Sequence, residues 1–126
     1  MYLNKQHHIA VISSDWDKAR AFYIEKLGFT LAREVYRPAQ KDYLRMLTLG
    51  DTTIELFIRP DAPQRVNNPE AMGLRHLAFR VEDIEPVVSW LNSVGVETEP
   101  VRDDKVNGGR YTFFKDPDGL PLEIHE

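Results

Sequence analysis

The sequence predicts an α+β protein built from two βαβββ modules in tandem. One observation is an internal repeat, because an offset of 68 residues aligns His8 with His76 and Ala10 with Ala78. Another is that short runs rich in Val, Ile and Leu occur in the same order in each half, with one helical pattern after the first run. Each half is too small to bury its own sheet, so we expect the two modules to pack together around a shared concavity.

The first module is expected to hold one helix and four strands. The helix is capped by Ser14 or Asp15, keeps its apolar residues at helical spacing and ends at Gly28. Gly50-Asp51 separates two apolar runs and is typical of a tight hairpin. The predicted strands are residues 7–12, 29–35, 43–49 and 52–58.

The second module follows a connector, residues 59–73, whose three prolines argue against regular structure. Its helix is capped by Asp83 and ends at Gly95, as the first helix ends at a glycine. The segment Asp116-Pro117-Asp118-Gly119 is a strong turn signal. The predicted strands are residues 75–81, 96–101, 110–114 and 120–125, with a polar loop at residues 102–109.

Length and composition restrict the possible functions. The 126 residues suffice for one domain, with the first module at about residues 5–58, the linker at 59–73 and the second module at about 74–126. The formal charge of −4 and the scattered Lys and Arg residues argue against a nucleic-acid or membrane partner. No apolar run approaches the roughly 20 residues of a membrane span, and no signal peptide is recognisable. With no cysteine, a metal could find only nitrogen and oxygen ligands, and we expect a cytoplasmic protein.

Two glutamates stand inside apolar runs that are predicted to be strands. Burying an unpaired carboxylate costs several kcal/mol, so each glutamate needs a cation, a proton or solvent. Both could simply face water on an open sheet, and a single histidine on a strand is more often structural than a ligand. The shared register favours a metal site, because equivalent positions of the two modules hold His8, Glu55, His76 and Glu123.

The ligand types in this set indicate the kind of metal. Two neutral imidazoles and two carboxylates supply four ligands with a charge of −2, which suits one divalent Ni, Co, Zn, Mn or Fe ion. An octahedral ion would keep one or two exchangeable waters, so the site would be catalytic in type. His7 is a competing first ligand, although the match to His76-Leu77-Ala78 favours His8. We therefore expect a curved mixed sheet around a metal-binding cleft.

Four motifs resemble those of the vicinal oxygen chelate superfamily. They are His8-Ile-Ala-Val, His76-Leu-Ala-Phe-Arg-Val, Ala21-Phe-Tyr-x-x-x-Leu-Gly-Phe and Asp116-Pro-Asp-Gly-x-Pro-Leu-Glu. That superfamily holds glyoxalase I, extradiol dioxygenases, fosfomycin-resistance thiol transferases, methylmalonyl-CoA epimerase and bleomycin-binding (bleomycin resistance) proteins. The resemblance covers essentially the whole chain and is closest to small glyoxalase I-like bacterial proteins.

Within the superfamily, the resemblance implies glyoxalase-type chemistry. Glyoxalase I uses two His and two Glu, whereas the dioxygenases and fosfomycin enzymes use two His and one Glu, so Glu55 favours glyoxalase I, although the epimerase shares a similar set. The resemblance implies a lyase of lactoylglutathione lyase type, an isomerase acting on a small α-oxo or α-hydroxy carbonyl compound or its thiol adduct. Glu123 or Glu55 would be the catalytic residue that moves a proton through a metal-bound enediolate. It also implies a homodimer, with each metal site within one chain or shared between two.

Substrate recognition and two other functions stay open at this point. Candidate substrate-binding residues are Arg45, Arg75, Arg110 and Phe113, although ordinary surface charge and core packing would also explain them. One alternative is an Fe(II) extradiol-type dioxygenase, against which a fourth protein ligand argues. The other is a non-catalytic protein that binds an antibiotic or another small ligand between subunits. The aromatic residues that would line that pocket are Trp16, Tyr36, Phe57, Tyr111 and Phe113.

Overall fold

A computed structural model describes residues 2–126, and the chain divides into two compact units between Pro63 and Gln64. The first unit contains β1 (Ile9–Ser13), α1 (Trp16–Ala19), a π-helix (Arg20–Lys26), β2 (Thr30–Arg37), β3 (Asp42–Leu49) and β4 (Thr52–Ile58). The second unit contains β5 (Leu77–Arg80), α2 (Ile84–Ser93), β6 (Arg102–Asp103), β7 (Arg110–Lys115) and β8 (Pro121–His125).

The first unit forms a four-stranded mixed sheet in the order β1-β4-β3-β2. β1 runs parallel to β4, and the other pairs are antiparallel. Successive side chains of a strand point to opposite faces. The core face carries Val11, Leu47, Ile54 and Leu56, all of which are buried. The other face, called here the open face, carries Glu55.

The second unit repeats this arrangement in the order β5-β8-β7-β6. β5 runs parallel to β8, and β7 is antiparallel to both of its neighbours. Its core face carries Leu77, Phe114, Leu122 and Ile124, which are buried. The open face carries Glu123.

The α+β class and the two tandem modules predicted from the sequence are confirmed, with each module contributing its own mixed sheet. The hairpin strand predicted at residues 52–58 has those bounds in the structure. Both module-opening strands are shorter than predicted, because His8 and His76 lie just before β1 and β5.

Two predictions at the start of the last sheet are wrong. No strand occupies residues 96–101, where Pro100 lacks the N–H that a ladder needs and where Glu99 donates its N–H to Phe113. The short strand lies instead at Arg102–Asp103, inside the stretch predicted as a polar loop.

The first predicted helix is also different in type. Only Trp16–Ala19 is α-helical, and the following seven residues wind as a π-helix that ends with the N–H of Leu27 donating to the carbonyl of Phe22, five residues earlier. Asp15, one of the two candidate caps of the first helix, and Asp83, the expected cap of the second, are the N-cap residues. No helix between residues 2 and 126 is both long and apolar enough to cross a membrane.

Candidate metal centre

Each unit places one histidine against one glutamate. In the first unit His8 Nε2 lies 3.2 Å from Glu55 Oε2. In the second unit His76 Nε2 lies 3.0 Å from Glu123 Oε2. The same ring nitrogen therefore meets the same carboxylate atom in both repeats.

The strand register explains why the two pairs match. Ala10 on β1 lies opposite Glu55 on β4, and Ala78 on β5 lies opposite Glu123 on β8. The alanine side chain is small, so it leaves room above the sheet for the carboxylate and the imidazole. The side chain of Glu55 is 18% exposed and that of Glu123 is 13% exposed, so both carboxylates are largely shielded while still reaching solvent.

The donor atoms fit a divalent metal ion. Imidazole nitrogen and carboxylate oxygen bind such ions at about 2.0–2.2 Å, so two adjacent ligands of an octahedral ion lie about 3 Å apart. Both His–Glu pairs have that separation, which is also the length of a hydrogen bond. Within residues 2–126 no three His, Asp or Glu side chains meet closely enough to form a metal site, so each unit by itself offers two ligands.

The neighbours of the two histidines differ. Nδ1 of His8 lies 2.8 Å from Nδ1 of His7, so one of the two nitrogens carries the proton between them. Nδ1 of His76 lies 3.3 Å from Nη1 of Arg75. The edge of Phe113 contacts His76, with 5.0 Å between the ring centroids.

Two of the four predicted substrate-binding residues lie beside His76. Phe113 on β7 is opposite Glu123 on the open face, and Arg75 directly precedes the histidine. Glu70 accepts a hydrogen bond from Arg75, and this bond, more than the charge of Glu123, raises the pKa of the guanidinium.

Arg45 lies on the other face of the first sheet. On β3 it is opposite Leu56, whereas Met46 is opposite Glu55. Its Nε donates to Glu34 at 2.8 Å, and its guanidinium lies 4.2 Å from the ring centroid of Trp16. The structure thus places Arg45 with the helix side of the first unit rather than beside Glu55.

Arg110 belongs to a carboxylate cluster at the end of the chain. Its guanidinium donates to Glu126 at 2.8 Å and to Glu85 at 2.9 Å. The carboxylate of Glu126 also accepts the backbone N–H of Ile84 in the first turn of α2. The hydrogen bond from Arg110 lowers the pKa of Glu126 to about 2. This arrangement ties the last residue to the start of the helix.

A third histidine–carboxylate pair anchors a loop. His125 Nε2 lies 2.9 Å from Asp104 Oδ2, and the pKa of His125 is raised chiefly by this contact. Asp104 also accepts the backbone N–H groups of Asn107 and Val106, and the bond from Asn107, followed by the contact with His125, holds the pKa of its carboxyl group well below the usual range. The pair therefore secures the turn between β6 and β7.

Sequence reasoning missed a positively charged groove beside His76. It lies within the second unit, has a volume of about 230 Å³ and is lined partly by Phe113. The cations along it are Arg65, Arg75, Arg102 and Lys115. Lys115 stands two residues after Phe113 on β7 and so lies on the same face of the strand. The alternation of side chains along the strand could therefore have placed Lys115 beside Phe113.

The profile of the Glyoxalase/Bleomycin resistance protein/Dioxygenase superfamily matches residues 5–124. The chain is 51% identical to the uncharacterized protein YwkD of Bacillus subtilis (strain 168), covering 100% of this chain and 99% of that one. It is 50% identical to the uncharacterized protein YaeR of Escherichia coli (strain K12), over 98% of this chain and 97% of that one. A crystal structure of a glyoxalase family protein from Enterococcus faecalis superposes with a TM-score of 0.92 at 50% identity, covering both chains completely.

Relatives with named activities are more distant. The chain is 29% identical to a 2-epi-5-epi-valiolone epimerase from Actinomyces sp., covering 94% of this chain and 76% of that protein. It is 32% identical to the glutathione transferase FosA of Serratia marcescens, covering 98% and 81%. The extent of these matches, together with the duplicated module, shows that the chain belongs to the Glyoxalase/Bleomycin resistance protein/Dioxygenase superfamily.

Proposed function

We propose that this chain is a metal-dependent lyase or isomerase of glyoxalase type that acts on a small α-oxo or α-hydroxy carbonyl compound or its thiol adduct. The observation that carries the proposal is the repeated His–Glu contact at equivalent register in both modules. The repetition of this contact at an offset of 68 residues is best explained by a shared ligand role.

His8, Glu55, His76 and Glu123 would together hold one Ni, Co, Zn, Mn or Fe ion. When bound, a divalent ion of this kind polarises adjacent carbonyl or hydroxyl oxygens and so acidifies the C–H between them. The four ligands would come from one chain or from the two chains of a homodimer.

The glutamates would also move the proton. A carboxylate within hydrogen-bond reach of the acidified carbon can take its proton and return it to the neighbouring carbon, which isomerises the substrate without net oxidation. We assign this role first to Glu123. Its side chain is the more shielded of the two, and Phe113, a wall residue of the groove, lies directly opposite it on β7.

Phe113 and Arg75 would then position the substrate. The ring of Phe113 contacts the edge of His76 and would exclude water from that side of the substrate. Arg75 would contribute positive charge close to oxygens that gain negative charge during the reaction.

Turnover of the hemithioacetal of methylglyoxal and glutathione tests the proposed reaction. Metal-stripped protein would be reloaded separately with Ni²⁺, Co²⁺, Zn²⁺ and Mn²⁺, and product formation would be followed by absorbance. We expect turnover that depends on metal and falls by about 100-fold or more in Glu123→Gln, because a positioned acid–base group contributes about 10²–10⁴ in rate.

Glu97→Gln is the matched control, since Glu97 is exposed, belongs to no strand and does not line the groove. It should keep the activity of the unsubstituted protein. Absence of turnover with every bound metal would reject this substrate. Full activity in Glu123→Gln would reject Glu123 as the base.

A further inference from the structure

We propose that the groove beside His76 binds an oxyanion, a carboxylate or phosphoryl group, at the far end of the substrate. This inference deepens the proposed function, because it names a chemical class for the substrate of the same site. The groove lies wholly within residues 64–126 and is lined by both apolar and charged side chains.

The charge of the groove is opposite to that of the chain. Its walls carry four cationic side chains, Arg65, Arg75, Arg102 and Lys115, against two carboxylates, Glu70 and Glu99. The whole chain carries a formal charge of −4. A local excess of positive charge in a concave wall attracts and retains anions, while a negative molecule as a whole repels them.

Two of these cations are already compensated. Arg75 pairs with Glu70 at 2.8 Å, and Arg102 pairs with Glu99 at 2.7 Å. Arg102 also lies over the rings of Tyr111 and Phe113, which fixes it against the open face of the sheet.

The other two cations have no acidic partner. Arg65 donates to the side-chain oxygen of Asn67 and to the backbone carbonyls of Leu74 and Arg75, all of them neutral acceptors. No carboxylate within residues 2–126 pairs with Lys115, an exposed residue that lines the groove. An incoming oxyanion would therefore find a full positive charge and free donors at Lys115.

The strand register indicates the direction in which the substrate would extend. Phe113 is opposite Glu123, and Lys115 is two residues farther along β7 on the same face, opposite Pro121. Two residues of a strand span about 7 Å. A substrate whose reacting carbon lies near Glu123 would thus carry its oxyanion on the Lys115 side, along the direction of β7.

Anion titration of the full chain tests the groove independently of turnover. The probes are inorganic phosphate and succinate, each compared with NaCl at equal ionic strength. Binding would be followed by amide chemical shifts, on protein as purified and after EDTA treatment, so that binding to a metal is separated from binding to the groove. We expect at least one of the two probes to shift the amides of β7 and of residues 65–75 in both samples.

Lys115→Met should weaken that binding about tenfold, the size expected for the loss of one charge-assisted hydrogen bond, and Lys115→Arg should largely restore it. Lys105→Met, which removes an exposed lysine outside the groove, should change the affinity less than twofold. Binding of phosphate alone would identify a phosphoryl group, and binding of succinate alone a carboxylate.

Three results would overturn the inference. One is that neither probe shifts the amides more than NaCl does. Another is that Lys105→Met weakens anion binding as much as Lys115→Met does. The third is that Lys115→Met leaves the anion affinity unchanged. Metal content measured on the same samples separates this test from the proposed function. Groove binding by a protein that takes up no divalent metal at His8, Glu55, His76 and Glu123, even after reloading, would reject the function and keep the groove.

Discussion

In the first module the His8–Glu55 pair lies beside a second histidine, whereas in the second module the His76–Glu123 pair lies beside an arginine and an aromatic ring. The His–Glu distances in the two modules are nearly equal, and in each module an alanine lies opposite the glutamate. The duplicated part is therefore the part that would bind metal, and the two repeats differ in what surrounds it.

The positive charges near each pair are also arranged differently. In the first module Arg37 and Arg59 both bind Asp42 and both lie over the ring of Phe57, which leaves their charges committed to one carboxylate. In the second module Lys115 has no carboxylate partner among the described residues. In our account, both modules supply ligands, and the second module alone recognises the charged end of the substrate.

If the two modules are true structural repeats, equivalent large-to-small substitutions in their two cores should destabilise the protein to a similar extent. Ile54 and Leu122 occupy equivalent positions and are both fully buried. Ile54→Ala and Leu122→Ala should each lower the free energy of unfolding by about 2–5 kcal/mol, as measured by urea titration with far-UV circular dichroism. Val106→Ala, at a side chain that is 91% exposed, should change it by less than about 0.5 kcal/mol. A cost below about 1 kcal/mol at only one of the two core positions would contradict equal packing.

The helix caps should show the first difference between the modules. Asp15 accepts the N–H of Lys18 at 2.8 Å, and Asp83 accepts that of Glu85 at 3.1 Å. Asp15→Ala should cost about 1 kcal/mol of unfolding free energy. Asp83→Ala should cost less, because Glu126 also accepts an N–H in the first turn of α2.

Thermal and urea unfolding of the two cap variants would be compared with Asp61→Ala, a substitution at an exposed turn. If Asp83→Ala lowered the unfolding free energy more than Asp15→Ala does, Glu126 would not share the capping of α2.

The smallest expected effect is the pH dependence that Glu126 gives to the second module. The pKa of Glu126 is lowered from 4.5 to about 2 by Arg110, so the folded state holds this proton less tightly than the unfolded state. Its contribution to stability is complete above pH 4.5 and is lost as the pH falls toward about 2. Solvent screens this partly exposed carboxylate, which keeps the effect modest.

Urea unfolding at pH 7 and pH 3 would measure that contribution. Glu126→Gln should destabilise the protein at pH 7 and lose less stability on acidification than the unsubstituted chain. Glu97→Gln should follow the unsubstituted chain at both pH values. If acidification from pH 7 to pH 3 lowered the free energy of unfolding equally in Glu126→Gln and in the unsubstituted chain, Arg110 would not be holding the carboxylate ionised.

Much of the fold was predictable because local signals and the repeat agreed. The glycine and aspartate between β3 and β4 indicated the hairpin, and Asp83 indicated the start of the second helix, whereas Ser14 and Asp15 were both candidates at the start of the first. The prediction of a strand at residues 96–101 was wrong because the branched residues Val96 and Val101 suggested β-structure, whereas Pro100 removes a ladder donor. The apolar spacing of the first helix does not distinguish α from π winding, so the π-helix was not predictable from it.

The candidate site was only partly predictable. The repeat identified His8, Glu55, His76 and Glu123, and the structure brings them together as two pairs. Their metal role stays a prediction. The groove was missed because Arg65 reaches it from an irregular connector, where no periodicity indicates direction. Arg102 was missed because its strand was predicted six residues too early, so its face could not be assigned.

The number of metal ions per chain tests the central claim most directly. Mass spectrometric metal analysis and competition with a chelator would be applied to the unsubstituted protein, Glu55→Gln and Glu123→Gln, with Glu97→Gln as the control. We predict one ion per chain and a loss of affinity above about 100-fold in either ligand variant, because the loss of an outer-sphere partner alone costs about 10–100-fold. Two ions per chain, or unchanged affinity in one of the two variants, would contradict a single ion shared by both modules.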